Sequence, residues 1–229
     1  MKVLYIHGLE SGPTGRKSIA LAEAGFEVAA EKMPCGRNDV LADPWVRLTG
    51  VAALVWALCA VLAFGAPGLV AVVLLLAVAS VLAKPFLMRR VWERSIAVQV
   101  AAIATHHPDV IVGSSFGGAV ALELQVRKIW QGPTVLLCPA HQLVAQRANV
   151  RGAPSRIPPA VEGRTVVVHG RHDETVPFQH SEALVQSTAA KFIAVDDDHR
   201  LSVNSTAANL KQWVELSADS TDETGSSAP

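Results

Sequence analysis

Apolar positions along the chain follow two rhythms. Short β-branched or aromatic runs at Lys2–Ile6, Phe26–Ala30, Val110–Val112, Thr134–Cys138, Arg164–His169 and Lys191–Val195 read as strands. Segments of helical period lie between them. Lys17–Ala24 turns Ile19, Leu21 and Ala22 toward a core and stops at Gly25. Val91–Thr105 ends at His106-His107-Pro108, and further helices fall over Ala119–Trp130, Ser181–Thr188 and Asn209–Leu216. Strand alternating with helix predicts a mostly parallel sheet with right-handed crossovers, an α/β fold. Residues 141–163 carry Pro154, Pro158 and Pro159 without a clear period, which predicts a loop or small flap. From Ala218 onward the chain is Ser, Thr, Asp, Glu, Gly and Pro, and residues 218–229 are expected to be a disordered polar tail.

The second rhythm is an uninterrupted apolar one. No charged residue occurs from Val51 to Ala83, and the two runs Val51–Phe64 and Leu69–Ala83 are broken only by Gly65-Ala66-Pro67-Gly68. The pattern predicts a hydrophobic helical hairpin. The first run holds seven Leu, Val or Phe residues and the second ten Leu or Val. At roughly −0.3 to −0.6 kcal/mol each, both runs favour insertion into a bilayer. Arg47 precedes the hairpin, Lys84, Arg89, Arg90 and Arg94 follow it, and the connecting turn is uncharged. That asymmetry places both flanks on the cytoplasmic face of the inner membrane, with a plain cytoplasmic location as the alternative. Taken as helices, Leu48–Phe64 and Leu69–Ala83 would be about 25 and 22 Å long, short of a ~30 Å hydrocarbon core. A hairpin dipping into one leaflet, or a helical pair buried in a dimer, are therefore competing expectations. The domain plan is 1–47 with 89–217 as one discontinuous α/β domain, and 48–88 as the insertion.

Composition narrows the classes. Lys and Arg together number 20, as do Asp and Glu, so no net field favours nucleic acid. Three widely spaced cysteines, Cys35, Cys59 and Cys138, suggest neither a disulfide framework nor a zinc site, and fit a reducing compartment. The Met1–His7 stretch is too short and too strand-like for a signal peptide. A mean hydropathy of +0.31 is high, and the hairpin accounts for it.

Candidate chemistry begins at Asp109–Gly118. A β-branched strand runs into Gly113-Ser114-Ser115-Phe116-Gly117, which fits G-x-S-x-G, and a helical pattern follows at once. Strand, sharp turn and helix is the context in which a serine hydroxyl is held up at the sheet's carboxyl edge. Ser114 is adjacent, but only Ser115 has glycine at both −2 and +2. Two later strands end in suitable partners. One runs into His169-Gly170-Arg171-His172-Asp173-Glu174, the other into Asp196-Asp197-Asp198-His199. The order Ser115, Asp173, His199 is that of nucleophile, acid and base in G-x-S-x-G hydrolases. Glu174 is an alternative acid, and Asp196 and Asp197 read as a solvated loop run. His169, His172 and Asp173 have a passable metal-ligand look, but no Cys or second acidic cluster completes a set, and no cofactor is expected.

With these residues in view the chain resembles the α/β-hydrolase superfamily, in particular its small capless bacterial serine esterases of the YqiA-like type. The matching pieces are His7-Gly8, Ser11-Gly12-Pro13 and Lys17, the stretch 113–118, His169-Gly170 with Asp173 and Val176-Pro177, and Asp198-His199. They span the chain apart from the hairpin and tail. The resemblance implies Ser115 as nucleophile, His199 as its base, and Asp173 orienting the imidazole. It also implies an oxyanion hole from the backbone N–H groups of Phe116 and Leu9, with His7 structural. The implied activity is hydrolysis of carboxylic esters or thioesters. Alternatives are acyltransferase or peptidase chemistry on the same triad, or a non-catalytic binding protein on the same fold. The hairpin departs from the family pattern. It follows the second strand and precedes a helix returning to the amino edge, so it should leave from the same edge as the triad. A lipid-like ester substrate is the resulting expectation.

Overall fold

In the computed structural model, which describes residues 1–9, 11–149 and 154–219, the β-branched runs pair as expected. The strands are β1 (Lys2–Ile6), β2 (Glu27–Ala29), β3 (Val110–Ser114), β4 (Thr134–Leu137), β5 (Thr165–Gly170) and β6 (Lys191–Val195). They form one sheet in the order β2-β1-β3-β4-β5-β6, with every pairing parallel. Alternate residues point to opposite faces. Leu4, Ile6, Ile111, Leu136 and Val167 therefore enter one core, while Val3, Tyr5, Val110, Val112, Val135, Leu137, Val166 and Val168 enter the other. The second core is closed by α1 (Arg16–Glu23) and α7 (Ala207–Ala218) through Leu21, Leu210, Trp213 and Val214. In α1 the buried side chains are Ala20 and Leu21; Ile19 and Ala22 are exposed, contrary to the helical-period reading. Helix α7 runs through Ala218, so the first residue of the expected tail is helical, and residues 220–229 lie outside the described residues.

The first core is covered by α3 (Pro44–His106), α4 (Phe116–Val126), α5 (His141–Arg147) and α6 (Phe178–Val185). Three elements were not anticipated: the short α2 (Arg37–Leu41), α5 within the stretch read as a flap, and a 3-10 turn over Glu162–Arg164 at its end; residues 150–153 lie outside the described residues. Chain order places β2 and β3 on opposite sides of β1. The point where the connections diverge, between β1 and β3, is where open α/β sheets leave a crevice at their carboxyl ends.

The hairpin is real, but its arms are longer than the apolar runs suggest. Helix α3 is interrupted only at Gly65, whose φ of 60° and ψ of −139° break the helical path. The first arm starts at Pro44, capped by the Asp43 carboxylate accepting from the Trp45 N–H at 2.9 Å. Proline is suited to that first helical position because its missing N–H would have no partner there. The second arm continues through Pro67 and Pro85 to His106, so the expected separate helix over 91–105 is its distal part. Residues 44–64 span about 31 Å and 66–88 about 34 Å at 1.5 Å per residue. These lengths are those of the helices and include Arg47 and Lys84; the uncharged runs within them are unchanged. Asp43 also accepts from Arg90 at 3.2 Å and Arg94 at 2.7 Å, which clips the two arms together at their base.

Both ends of the distal arm fix the hairpin's direction. At the far end His107 leaves the helix in the left-handed region, and Asp109 pairs with Lys2 at the amino edge of β1. Nearer the base, Trp92 packs edge-on against Phe116 with ring centroids 5.8 Å apart. Upstream, the Met33 N–H donates to His7 Nε2 at 3.1 Å, just past the carboxyl end of β1. The hairpin therefore projects from the carboxyl edge of the sheet.

Candidate active site

Ser115 sits between β3 and α4 with φ 56° and ψ −114°, a conformation most side chains avoid. Two close approaches enforce it. The Ser115 N–H donates to Leu137 O at 2.8 Å, tying the turn to β4. Gly117 lies so near β1 that any Cβ there would collide with the Ile6 carbonyl. The first turn of α4 is thus pressed onto the sheet, and the serine side chain is left at the carboxyl edge.

Asp173 and His199 reach the same place from β5 and β6. The His199 Nδ1–H donates to Asp173 Oδ2 at 2.7 Å, and Ser115 Oγ lies 2.9 Å from His199 Nε2. With Nδ1 carrying the proton, Nε2 is the acceptor for the serine hydroxyl. The Asp173 side chain is fully buried, whereas the His199 side chain keeps 19% exposure. Asp173 is the partner, and Glu174 is exposed one residue further on.

Four donors converge on the Asp173 carboxylate. Oδ1 accepts from the N–H groups of Thr175 and Val176, both at 2.8 Å, and Oδ2 accepts from His199 and from His169 Nε2 at 3.0 Å. Burial alone raises the carboxyl pKa, but the hydrogen bonds from His169, His199 and Val176 outweigh it and hold the group well below the usual carboxylate range. Ionised, such a group accepts only, which suits its four donors.

His169 is a contribution that sequence reading missed. Its Nε2 faces two acceptors, Asp173 Oδ2 and the Val176 carbonyl at 3.1 Å, so that nitrogen carries the proton. Its Nδ1 then accepts from Ser181 Oγ at 2.7 Å. The fully buried ring is a fixed prop behind the acid, and the strand-end His-Gly pair was the available signal. His172, by contrast, faces outward and pairs with Asp196 at 2.7 Å, so the suggested His169, His172 and Asp173 set does not converge.

Asp197 also differs from expectation. It is 7% exposed and is no solvated run: its carboxylate accepts from the N–H groups of Asp198, Val203 and Asn204 and from the Asn204 amide. That clamp shapes the loop carrying His199. Gly170 lets the same loop approach β5, because a Cβ there would stand 2.5 Å from the carbonyl oxygens of both Asp197 and Asp198.

The β1 loop supplies the facing wall. His7 Nε2 accepts from Met33, so its Nδ1 is protonated and donates to Gly8 O at 2.7 Å. The Gly8 N–H donates to Ser11 Oγ at 3.0 Å. The next N–H along is that of Leu9, which lines a cleft with Ser115 and His199. Phe116 opens α4, where the N–H has no partner within its own helix. Two clefts flank the serine. One, roughly 690 Å³, is bounded by Leu9, Arg147, Glu174 and Thr175. The other, roughly 420 Å³, lies toward α1.

Among the described residues, Cys138, Asp173 and His199 bring three ligand-type atoms within 4.8 Å of one another. Asp173 and His199 are already joined through a proton. Burial pushes the Cys138 thiol up to about 12, which disfavours the thiolate that binds metal.

No protein-family model matches the chain, and no curated protein matches it in sequence. Solved structures do. A proposed hydrolase of the α/β superfamily from Xanthomonas campestris pv. campestris aligns at 22% identity over 94% of this chain and 96% of its own, with a TM-score of 0.53. A proposed hydrolase from Agrobacterium vitis S4 aligns at 16% identity over 94% and 87%, with a TM-score of 0.56. Est1E from Butyrivibrio proteoclasticus, solved with ferulic acid bound, aligns at 14% identity over 93% and 86%, with a TM-score of 0.54. At these identities the likeness is one of fold and does not single out the YqiA-like type. The all-parallel sheet, its flanking helices and these neighbours together identify the α/β-hydrolase fold, carrying an apolar hairpin between β2 and β3.

Proposed function

We propose that the protein is a serine hydrolase acting on carboxylic esters or thioesters. The observation that carries this reading is the hydrogen-bonded series from Ser115 Oγ through His199 to Asp173, at 2.9 and 2.7 Å. In the proposed reaction Ser115 Oγ attacks the acyl carbon as His199 Nε2 takes its proton. The buried Asp173 anion stabilises the imidazolium that results. The N–H groups of Phe116 and Leu9 receive the oxyanion of the tetrahedral intermediate. Collapse breaks the ester C–O or thioester C–S bond, and His199 returns the proton to the leaving alcohol or thiol. Water, deprotonated by the same imidazole, then releases the acid and regenerates Ser115. An acyltransferase would differ only in the second acceptor.

Labelling of the purified protein by a fluorophosphonate probe tests the reading. Labelling is expected for the native serine and is lost in Ser115→Ala, with turnover falling on the order of 10⁶-fold if the three residues act as a unit. Unchanged ester hydrolysis in that variant overturns the assignment. Failure of the native protein to label supports a non-catalytic binding role instead.

We also propose that residues 48–88 enter the membrane. The hairpin's large apolar side chains are exposed around its circumference, Leu62 reaching 77%. The most apolar 18-residue window has a mean hydropathy of 2.6, with only 11% of it buried. An apolar surface of this kind belongs against lipid or a partner. Arg47, Lys84, Arg89 and Arg90 gather near its base, favouring the cytoplasmic face. Because hairpin and catalytic serine share the sheet's carboxyl edge, an ester with a lipophilic portion would reach Ser115 from the membrane side. Deleting residues 49–88 with a short linker should shift the protein to the soluble fraction and lower activity on long-chain esters relative to short ones. Equal long-chain activity in a fully soluble variant overturns the substrate part of this proposal.

A further inference from the structure

The cleft on the α1 side of Ser115 and His199 has an unusual lining. Arg16, Lys17 and Arg200 line it, together with the hydroxyl-bearing Ser11 and Ser202, and no carboxylate does; Arg200 also borders the larger cleft, beside Glu174 and Asp198. Lys17 is held in place: its Nζ donates to the Arg200 carbonyl at 2.6 Å. An ammonium has three donors, so two remain to be used. Neither guanidinium is paired with a carboxylate among the described residues. The closest acids of the His199 loop make no ion pair with these cations: Asp197 accepts from the four donors already named, and Asp198 Oδ1 accepts from the Arg200 N–H at 2.8 Å. Burial lowers the Lys17 pKa against the opposing pull of Cys138, Asp198 and Asp197, and Arg16 adds a smaller push downward. A partly desolvated cation of this sort gains most from an anion that supplies acceptors for its two unused donors.

We propose that this cleft binds an oxyanion group of the substrate, so that the ester cleaved at Ser115 carries a carboxylate or phosphate on its acyl or its alcohol portion. The proposal rests on the serine-hydrolase reading and adds the substrate's charge to it. Three cations beside the nucleophile would draw such a group in and set its distance from Oγ, while a guanidinium can hold either oxyanion through two parallel hydrogen bonds. A lipophilic portion is compatible with this, in an amphiphile whose charged end enters the cleft.

Full-length protein in detergent micelles tests it with two matched substrate pairs. One compares 4-nitrophenyl valerate with 4-nitrophenyl hydrogen glutarate, which places a carboxylate on the acyl side. The other compares butyrylglycerol with butyrylglycerol phosphate, which places the anion on the alcohol side. The expected result is a preference of about tenfold or more in kcat/KM for the anionic member of at least one pair, weakening as salt is raised. In Lys17→Met that ratio should fall toward one. Arg200→Gln keeps the carbonyl that Lys17 holds and gives the same readout should Lys17→Met disturb the loop. Equal use of both members in both pairs overturns the proposal, as does a preference that neither variant changes. Ser115→Ala separates the two layers. Hydrolysis that persists there refutes the nucleophile, whereas serine-dependent hydrolysis without an anion preference refutes only the cleft.

Discussion

At the scale of single residues the site is organised around one buried carboxylate. Asp173→Asn removes the anion while nearly preserving shape, and leaves the amide to satisfy donors it cannot all accept. Turnover should fall on the order of 10⁴-fold through loss of the correct imidazole tautomer. The depressed Asp173 pKa also has a stability consequence. A carboxylate favoured in the folded state stabilises it fully above the unfolded value of about 3.9, and that contribution is lost as pH falls toward the folded value. Denaturant unfolding should therefore show the native protein's advantage over Asp173→Asn to be full at pH 7 and shrinking at pH 3. His169→Phe keeps the ring's bulk and removes its donor to Asp173. A hydrogen bond to a charged group contributes about 1.5–3 kcal/mol, so kcat should drop roughly ten- to a hundredfold. KM should stay nearly constant, because His169 touches the acid and not the clefts; a change confined to KM would refute the positioning role.

At the scale of elements, the second arm of the hairpin also builds the wall behind Ser115. Trp92 is 6% exposed and packs on Phe116, whose N–H is a proposed oxyanion donor. Trp92→Ala should cost about 3–5 kcal/mol of stability and lower kcat, while Trp92→Phe should recover most of both. Thermal unfolding and ester turnover read the two effects separately, and full activity in a destabilised Trp92→Ala would show that the Ser115 turn holds its shape without the arm. Gly170→Ala should cost about 1–3 kcal/mol by overpacking, since the new methyl meets two loop carbonyls, and should reduce turnover by displacing the loop that carries His199.

At the scale of the whole molecule, Cys59 reports on what covers the hairpin. The residue is exposed on the first arm, about 22 Å along from Pro44 at 1.5 Å per residue, and so falls within the proposed lipid-covered zone. In sealed vesicles Cys59 should resist a membrane-impermeant maleimide and react only after denaturation in SDS, as followed by mass spectrometry. Rapid modification in intact vesicles would place the hairpin outside the bilayer.

Much of this was legible in one dimension because the physics is local. β-branched runs of strand length and small residues around Ser115 report what the backbone can do there, and a long uncharged stretch closed by cations reports on the hairpin's surroundings. Three residues at strand ends could be named in order because a parallel sheet collects its carboxyl ends on one side. What proximity in space alone decides could not be read that way. Whether Asp173 or Glu174 meets His199 depends on how the β5 loop folds back. Asp197 looked solvated because nothing in the run of three aspartates marks the middle one as a clamp. The hairpin arms outgrow their apolar runs because Asp43 caps one arm and Pro85 is tolerated in the other, and the crossing of Arg90 and Arg94 to Asp43 joins positions 47 and 51 residues apart. The α/β texture, the tight turn at Ser115 and the apolar insertion could be read from the chain alone, since each depends on near neighbours. The tertiary structure decided which side chains share a hydrogen bond or a cleft, above all His169 behind the acid and Lys17 beside the serine, since distance between strand ends is set by how the sheet packs.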